Sequence, residues 1–238
     1  MAFKISSTKN AVSNQGVKIL VYGLAGSGKT TLCATAPQGS NPIIISAESG
    51  LMSLREHDLP VISVNSIEDV YEAYDFLANS EEGKQYDFVS IDSITEIAEA
   101  LLSSEKKKSS DPRQAYGKLQ EEMGDLLRHF RDLPERHVYM AAKMAKEKDE
   151  LSGMILYQPM MPGAKLGQSI PYMFDEVFAM RMEQDPEGNS TRWLQTSADP
   201  QYNCKDRSGC LNQFEEPNLG MVINKIMSGT STKEEAGE

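Results

Sequence analysis

The chain has 238 residues, 39% of them hydrophobic, and a formal net charge of −11; this suffices for one α/β domain with a sizeable core and excludes a broadly basic nucleic-acid coat. No apolar run approaches the roughly 18 residues of a membrane span, and the first residues lack the apolar stretch of a secretory signal, so a cytoplasmic protein with no membrane partner is expected. Cys33, Cys204 and Cys210 form no C-x-x-C pair and His57, His129 and His137 are scattered, so zinc-type ligand spacing is absent and the thiols read as buried or incidental.

Residues 1–16 are polar and weakly patterned and read as an N-terminal arm outside the core. Val17 to Tyr22 is a short apolar, β-branched strand. It leads into Gly23-Leu24-Ala25-Gly26-Ser27-Gly28-Lys29-Thr30, a full match to G-x-x-x-x-G-K-[ST], and Thr30 to Ala36 reads as the first turns of a helix. Strand, glycine loop and helix in that order predict a phosphate cradle for ATP with Mg²⁺. Gly23, Ala25, Gly26, Ser27 and Gly28 would bring backbone N–H groups to the phosphates, with Lys29, Thr30 and Thr31 opening the helix. Lys29 is expected to reach the β- and γ-phosphates and the Thr30 hydroxyl to ligate Mg²⁺.

Pro42 to Ser46 and Val61 to Val64 follow as strands, and Ile67, Val70, Tyr71, Tyr74 and Leu77 fall at helical spacing. Phe88 to Ile91 is a buried strand ending at Asp92, placed to support the metal beside Thr30. The residue after it is Ser93, where many such ATPases carry a glutamate, so the group that activates water must come from elsewhere. Glu48 is the first candidate because it stands just beyond the carboxyl end of a strand, where open α/β sheets bind ligands. Glu96, one turn into the next helix, is the competitor.

Leu119, Met123, Leu126, Leu127, Phe130 and Leu133 share one face of a long helix that leads into the strand His137 to Ala142. Alternation of this kind predicts a mostly parallel central sheet flanked by helices. Beyond it, Leu151 to Pro159 reads as a hairpin or mobile loop, Phe174 to Arg181 and Thr191 to Thr196 as strands, and 228–238 as a flexible acidic tail. The domain would span 17–227.

This order of features resembles the RecA-like recombinase core, most closely the short phage-encoded ATPases of the Sak group. The resemblance rests on the phosphate loop, on Ser46-Ala47-Glu48 at a strand end, and on Asp92-Ser93. It implies an Mg²⁺-dependent ATPase that binds single-stranded DNA and promotes annealing or strand exchange, working as a homo-oligomeric ring or filament. A single-stranded-DNA-binding protein is an implied partner. It further implies that Lys205 and Arg207, within Cys204 to Gly209, complete the site of the next subunit; a solvated turn is the other reading of that segment. The expected DNA segments are Ser104 to Arg113, carrying Lys106, Lys107, Lys108 and Arg113, and Lys143 to Lys165, carrying Lys146, Lys148, Tyr157 and Lys165. A solvated lysine face is the alternative there. Lys143 stands where the recombinase has a sensing glutamine. Two other functions use the same loop: a nucleotide-gated helicase loader or adaptor, and a small-molecule phosphotransferase.

Overall fold

A computed structural model describes residues 15–229 except 49, 149–152 and 185. The predicted arm and acidic tail therefore lie almost wholly outside the described residues. Strand β1 (Lys18–Gly23) is buried along its whole length, as expected of a strand covered on both faces. On one side it pairs in parallel with β5 (His137–Lys148), on the other with β7 (Glu176–Gln184). The parallel array continues from β5 through β4 (Phe88–Asp92) and β2 (Pro42–Ser46) to β3 (Val61–Ser63). Beyond β7 the sheet turns antiparallel, through β8 (Ser190–Gln195) to β10 (Phe214–Glu215). Two short additions, β6 (Ile155–Pro159) on β5 and β9 (Lys205–Asp206) on β7, complete ten strands among the described residues. The central sheet is thus mostly parallel and flanked by helices, as the alternation predicted.

Side chains leave β1 alternately toward two cores, a consequence of the period of two along a strand. Leu20 and Tyr22 join the larger one beneath α2 (Ile67–Asn79), α3 (Ile94–Lys108) and α4 (Pro112–Arg131). Ile19 and Val21 join the other, with Phe178, Leu194 and the apolar face of α6 (Leu219–Ser228). Local chemistry fixes the helix starts. Ser66 and Asp69 form a reciprocal capping box on α2, Ser93 caps α3, and Asp111 followed by Pro112 opens α4.

Three segments depart from expectation. The helix after the phosphate loop, α1 (Lys29–Leu32), is only four residues long; the chain then tightens, with i to i+3 bonds from Cys33, Ala34 and Thr35. Helix α6 stops it. Gly220 N–H donates to the Thr35 carbonyl at 2.6 Å and Leu219 N–H to Thr35 Oγ1 at 2.9 Å. A Cβ on Gly220 would lie 2.9 Å from the Ala36 carbonyl oxygen, so only glycine allows this approach. Second, the lysine run 106–108 is the last turn of α3 and not a loop, because Lys is a good helix former and complements the carbonyl end of the helix. Third, α5 (Ala164–Ser169) with the turn Ile170–Met173 lies where no element was foreseen; just before it, Ile155–Pro159 returns along β5 as the hairpin that was one of the two readings of Leu151 to Pro159.

Candidate nucleotide site

The phosphate loop leaves β1 at the carboxyl edge of the sheet and lies in a cleft of about 590 Å³ lined by Gly26, Gly28, Lys29, Thr30, Glu48 and Arg192, among others. Its backbone has the shape that anion binding needs. Gly26 and Gly28 have φ of 71° and 107°, a region costly for residues with a Cβ. A Cβ at Gly26 would stand in open space, so the missing side chain is room left above bare N–H groups. Ser27 Oγ is buried without a hydrogen-bond partner among the described residues. Tyr139, fully buried in β5, donates its hydroxyl to the Lys29 carbonyl at 2.8 Å and ties the start of α1 to the sheet.

Lys29 Nζ donates to the loop's own carbonyls at Gly23 (3.0 Å) and Leu24 (2.9 Å), leaving one N–H for a phosphate oxygen. Burial draws its amine below the usual lysine range, against the opposing pull of Asp92 and Glu48. Asp92 is 2% exposed and accepts the Thr30 hydroxyl at 2.6 Å. Burial raises its carboxyl, the Thr30 hydrogen bond and Lys29 lower it, and Glu48 raises it further. These groups fit the predicted cofactor: Thr30 and Asp92 would hold Mg²⁺, whose charge offsets that of the phosphates, while Lys29 and the loop amides would hold the phosphate chain.

Glu48 and Glu96 separate cleanly. The end of β2 is tied to the end of β4 by bonds from the Ala47 and Glu48 amides to the Asp92 carbonyl, at 2.8 and 3.3 Å. Glu48 thereby lines the cleft, and its Oε1 accepts the Ser93 hydroxyl at 2.5 Å. Glu96 instead pairs with Lys143, which also donates to Glu99 at 3.0 Å. Glu96 is thereby occupied by an ion pair, whereas Glu48 belongs to none of the ion pairs among the described residues, although Lys29 is near enough to feel its charge. Although partial burial works against it, the two carboxylates hold the Lys143 amine above its usual range.

Lys205 and Arg207 lie elsewhere. Register sets Lys205 opposite Val177 and Asp206 opposite Glu176, at the start of β7, while the phosphate loop leaves β1 opposite Met180. Lys205 Nζ donates to the Pro171 carbonyl at 2.8 Å, and Arg207 pairs with Asp175 at 2.8 Å. The two cations stand on the amino edge, opposite the phosphate loop, and do not serve the site of their own chain. Beside them Glu176 is pushed up to about 8, first by burial and then by the neighbouring Asp206 carboxylate. Its native pKa lies above the ordinary 4.5, so the unfolded chain releases this proton first and stability falls as pH rises through that window. Glu176→Gln is expected to flatten the fall between about pH 5 and 8 in urea melts; an unchanged slope would refute the assignment.

The residues predicted to meet DNA are dispersed. Lys107 and Arg113 are exposed at the facing ends of α3 and α4, and Lys108 pairs with Glu105. Lys146 and Lys148 are exposed on the β5–β6 ribbon, opposite Tyr157 and Ile155. Tyr157 is not a free stacking face: its ring stacks on Tyr202 at 4.6 Å and its carbonyl accepts the Tyr22 hydroxyl. Sequence reasoning passed over Tyr116, which is 40% exposed. Lys106 Nζ lies 5.3 Å from its ring centroid, and a Cβ at Gly163, two residues before Lys165, would lie 3.4 Å from its edge. Arg192 was also passed over. Its placement on a strand distant in sequence from the phosphate loop left no local signal, and Tyr116 fell between the expected DNA segment ending at Arg113 and the helical face starting at Leu119.

A G-x-x-x-x-G-K-[ST] loop between the central strand of a mostly parallel sheet and a helix, facing a strand-end aspartate, defines a P-loop NTPase. More particularly, a family model described as an AAA domain matches residues 15–208, and the chain belongs to that family. No curated protein matches it. Among solved structures it is similar to a prototypical ATPase from the type III secretion system of pathogenic bacteria, at 16% identity and a TM-score of 0.47. That alignment covers 70% of this chain and 51% of the other, so the chain spans about half the length of that ATPase. Among the described residues no helix is long and apolar enough to cross a membrane.

Proposed function

We propose that the protein is an Mg²⁺-dependent ATPase that binds single-stranded DNA and promotes annealing or strand exchange in phage-type recombination. Its subunits assemble head to tail, so that Lys205 and Arg207 on the amino edge of one meet the phosphate loop on the carboxyl edge of the next. Such heterologous contacts close into rings or extend as filaments. Glu48 takes a proton from the attacking water, and the cations of the neighbour offset the charge that develops on the γ-phosphate.

The observation that carries the DNA reading is the meeting of two separate basic segments at Tyr116, with Lys106 over its ring and the turn before Lys165 at its edge. An exposed aromatic ring with one ammonium over it and a second basic segment passing its edge suits a single strand, whose bases stack and whose phosphates need neutralising. The test is steady-state ATP turnover across protein concentration, with and without single-stranded DNA, at low salt. Turnover rising with both supports the reading; turnover indifferent to DNA at every concentration overturns it. In DNA titrations the double variant Lys106→Ala, Lys165→Ala is expected to reduce the slope of log affinity against log salt by about 1.4, as for two lost phosphate contacts on a single strand.

A further inference from the structure

Strand β8 runs antiparallel to β7, with Arg192 opposite Met182, two residues beyond the Met180 that faces Gly23 at the end of β1. The start of β8 therefore overhangs the carboxyl edge of the sheet and brings Arg192 above the phosphate loop. Its Cδ lies 3.6 Å and its Nε 3.8 Å from where a Cβ on Gly28 would be. The side chain lines the same cleft as Lys29, Thr30 and Glu48 and is exposed to it. Arg131, Arg181 and Arg207 each have a carboxylate within 4 Å. Arg192 belongs to none of the ion pairs among the described residues.

A guanidinium without a carboxylate, held over a loop of bare amide N–H groups, is a cation set out for an anion. Its planar fork of donors matches phosphate oxygens better than an ammonium does. The Arg192 side chain packs at van der Waals distance over Gly28, whose φ of 107° sets the turn beneath it.

We infer that Arg192 is a phosphate-binding residue acting in cis: it closes over the phosphate chain of a nucleotide seated on the loop of its own chain. This rests on the nucleotide reading of the cleft and adds to it a second cation besides Lys29. Each chain then carries a complete phosphate clamp before any neighbour contributes charge, so binding precedes assembly and the neighbour's cations are left for turnover.

The test measures equilibrium binding of fluorescently labelled ATP, with unlabelled ADP, AMP and adenosine as competitors. It compares wild type with Arg192→Ala, Arg192→Lys and Lys29→Ala. Thermal midpoints without nucleotide serve as the folding control; Arg192 is exposed, and they should not move. Arg192→Ala is expected to weaken ATP binding about tenfold to a hundredfold, the range of a lost charge-assisted hydrogen bond. The loss should shrink from ATP to AMP and vanish for adenosine, a gradation that a merely structural role would not produce. Arg192→Lys should recover part of the affinity. Wild-type affinity in Arg192→Ala, with binding lost in Lys29→Ala, would overturn the inference and leave the nucleotide reading standing; a wild type that binds no ATP would overturn both. Mixing Arg192→Ala with Lys29→Ala should restore nothing, since a cis residue cannot be lent, and recovery of binding on mixing would overturn the cis assignment.

Discussion

Glu48→Gln is expected to slow ATP turnover by about 100- to 10,000-fold, the usual worth of a positioned general base, while ATP binding survives. The amide keeps the shape of the side chain and can still bond to Ser93, so what is lost is proton acceptance and the negative charge. Charge is also why binding should survive: removing a carboxylate beside the cradle relieves repulsion with incoming phosphate. Single-turnover hydrolysis, run beside an equilibrium binding measurement, separates the two effects. Glu96→Gln is the comparison, since Lys143 already neutralises that carboxylate and keeps Glu99 as a partner. A much smaller loss is expected there. Normal turnover in Glu48→Gln would remove the residue from catalysis, and a loss confined to Glu96→Gln would exchange the two roles.

Phe178→Ala is expected to cost about 3–5 kcal/mol of stability, the range for deleting a buried aromatic ring. The ring is fully buried in the core on the α6 face of the sheet, which also contains Phe88, Tyr139 and Leu194. Nothing nearby is free to collapse into the space, because Val21 opposite it and the strands on either side are held by the ladder. Against a total stability of about 5–15 kcal/mol, such a loss leaves a marginal fold. Met52→Ala, at a side chain 77% exposed, should change stability by no more than about 0.5 kcal/mol. Urea titration with an unchanged m-value reads both. A cost below about 1 kcal/mol for Phe178→Ala would mean that this core is not close-packed.

What was legible in the sequence was whatever local pattern specifies. The phosphate loop, the strands around it and Asp92 could be placed because each is announced by neighbouring residues. The position of Glu48 in the cleft could be foreseen because a strand end is a local feature, whereas the Lys143 contact that occupies Glu96 spans β5 and α3 and could not. The lysine run at 106–108 was misplaced because its charge reads as loop while its propensity is helical. Tyr157 looked like a free aromatic until Tyr202, far along the chain, was seen to cover it. The shortness of α1 was hidden for the same reason: the residues that end it belong to the opposite end of the domain.

That last connection bears on how the protein comes into being. Translation delivers β1 and its loop among the first described residues, yet both neighbours of β1 come much later, β5 from His137 and β7 from Glu176. The amides that close the turn after α1 come later still, from Leu219 and Gly220. Until those neighbours emerge, the future nucleotide cradle is an apolar strand with both edges bare, the kind of segment that aggregates or engages chaperones. The phosphate loop thus leaves the ribosome well before the strands that flank β1 and the helix that closes the turn after α1.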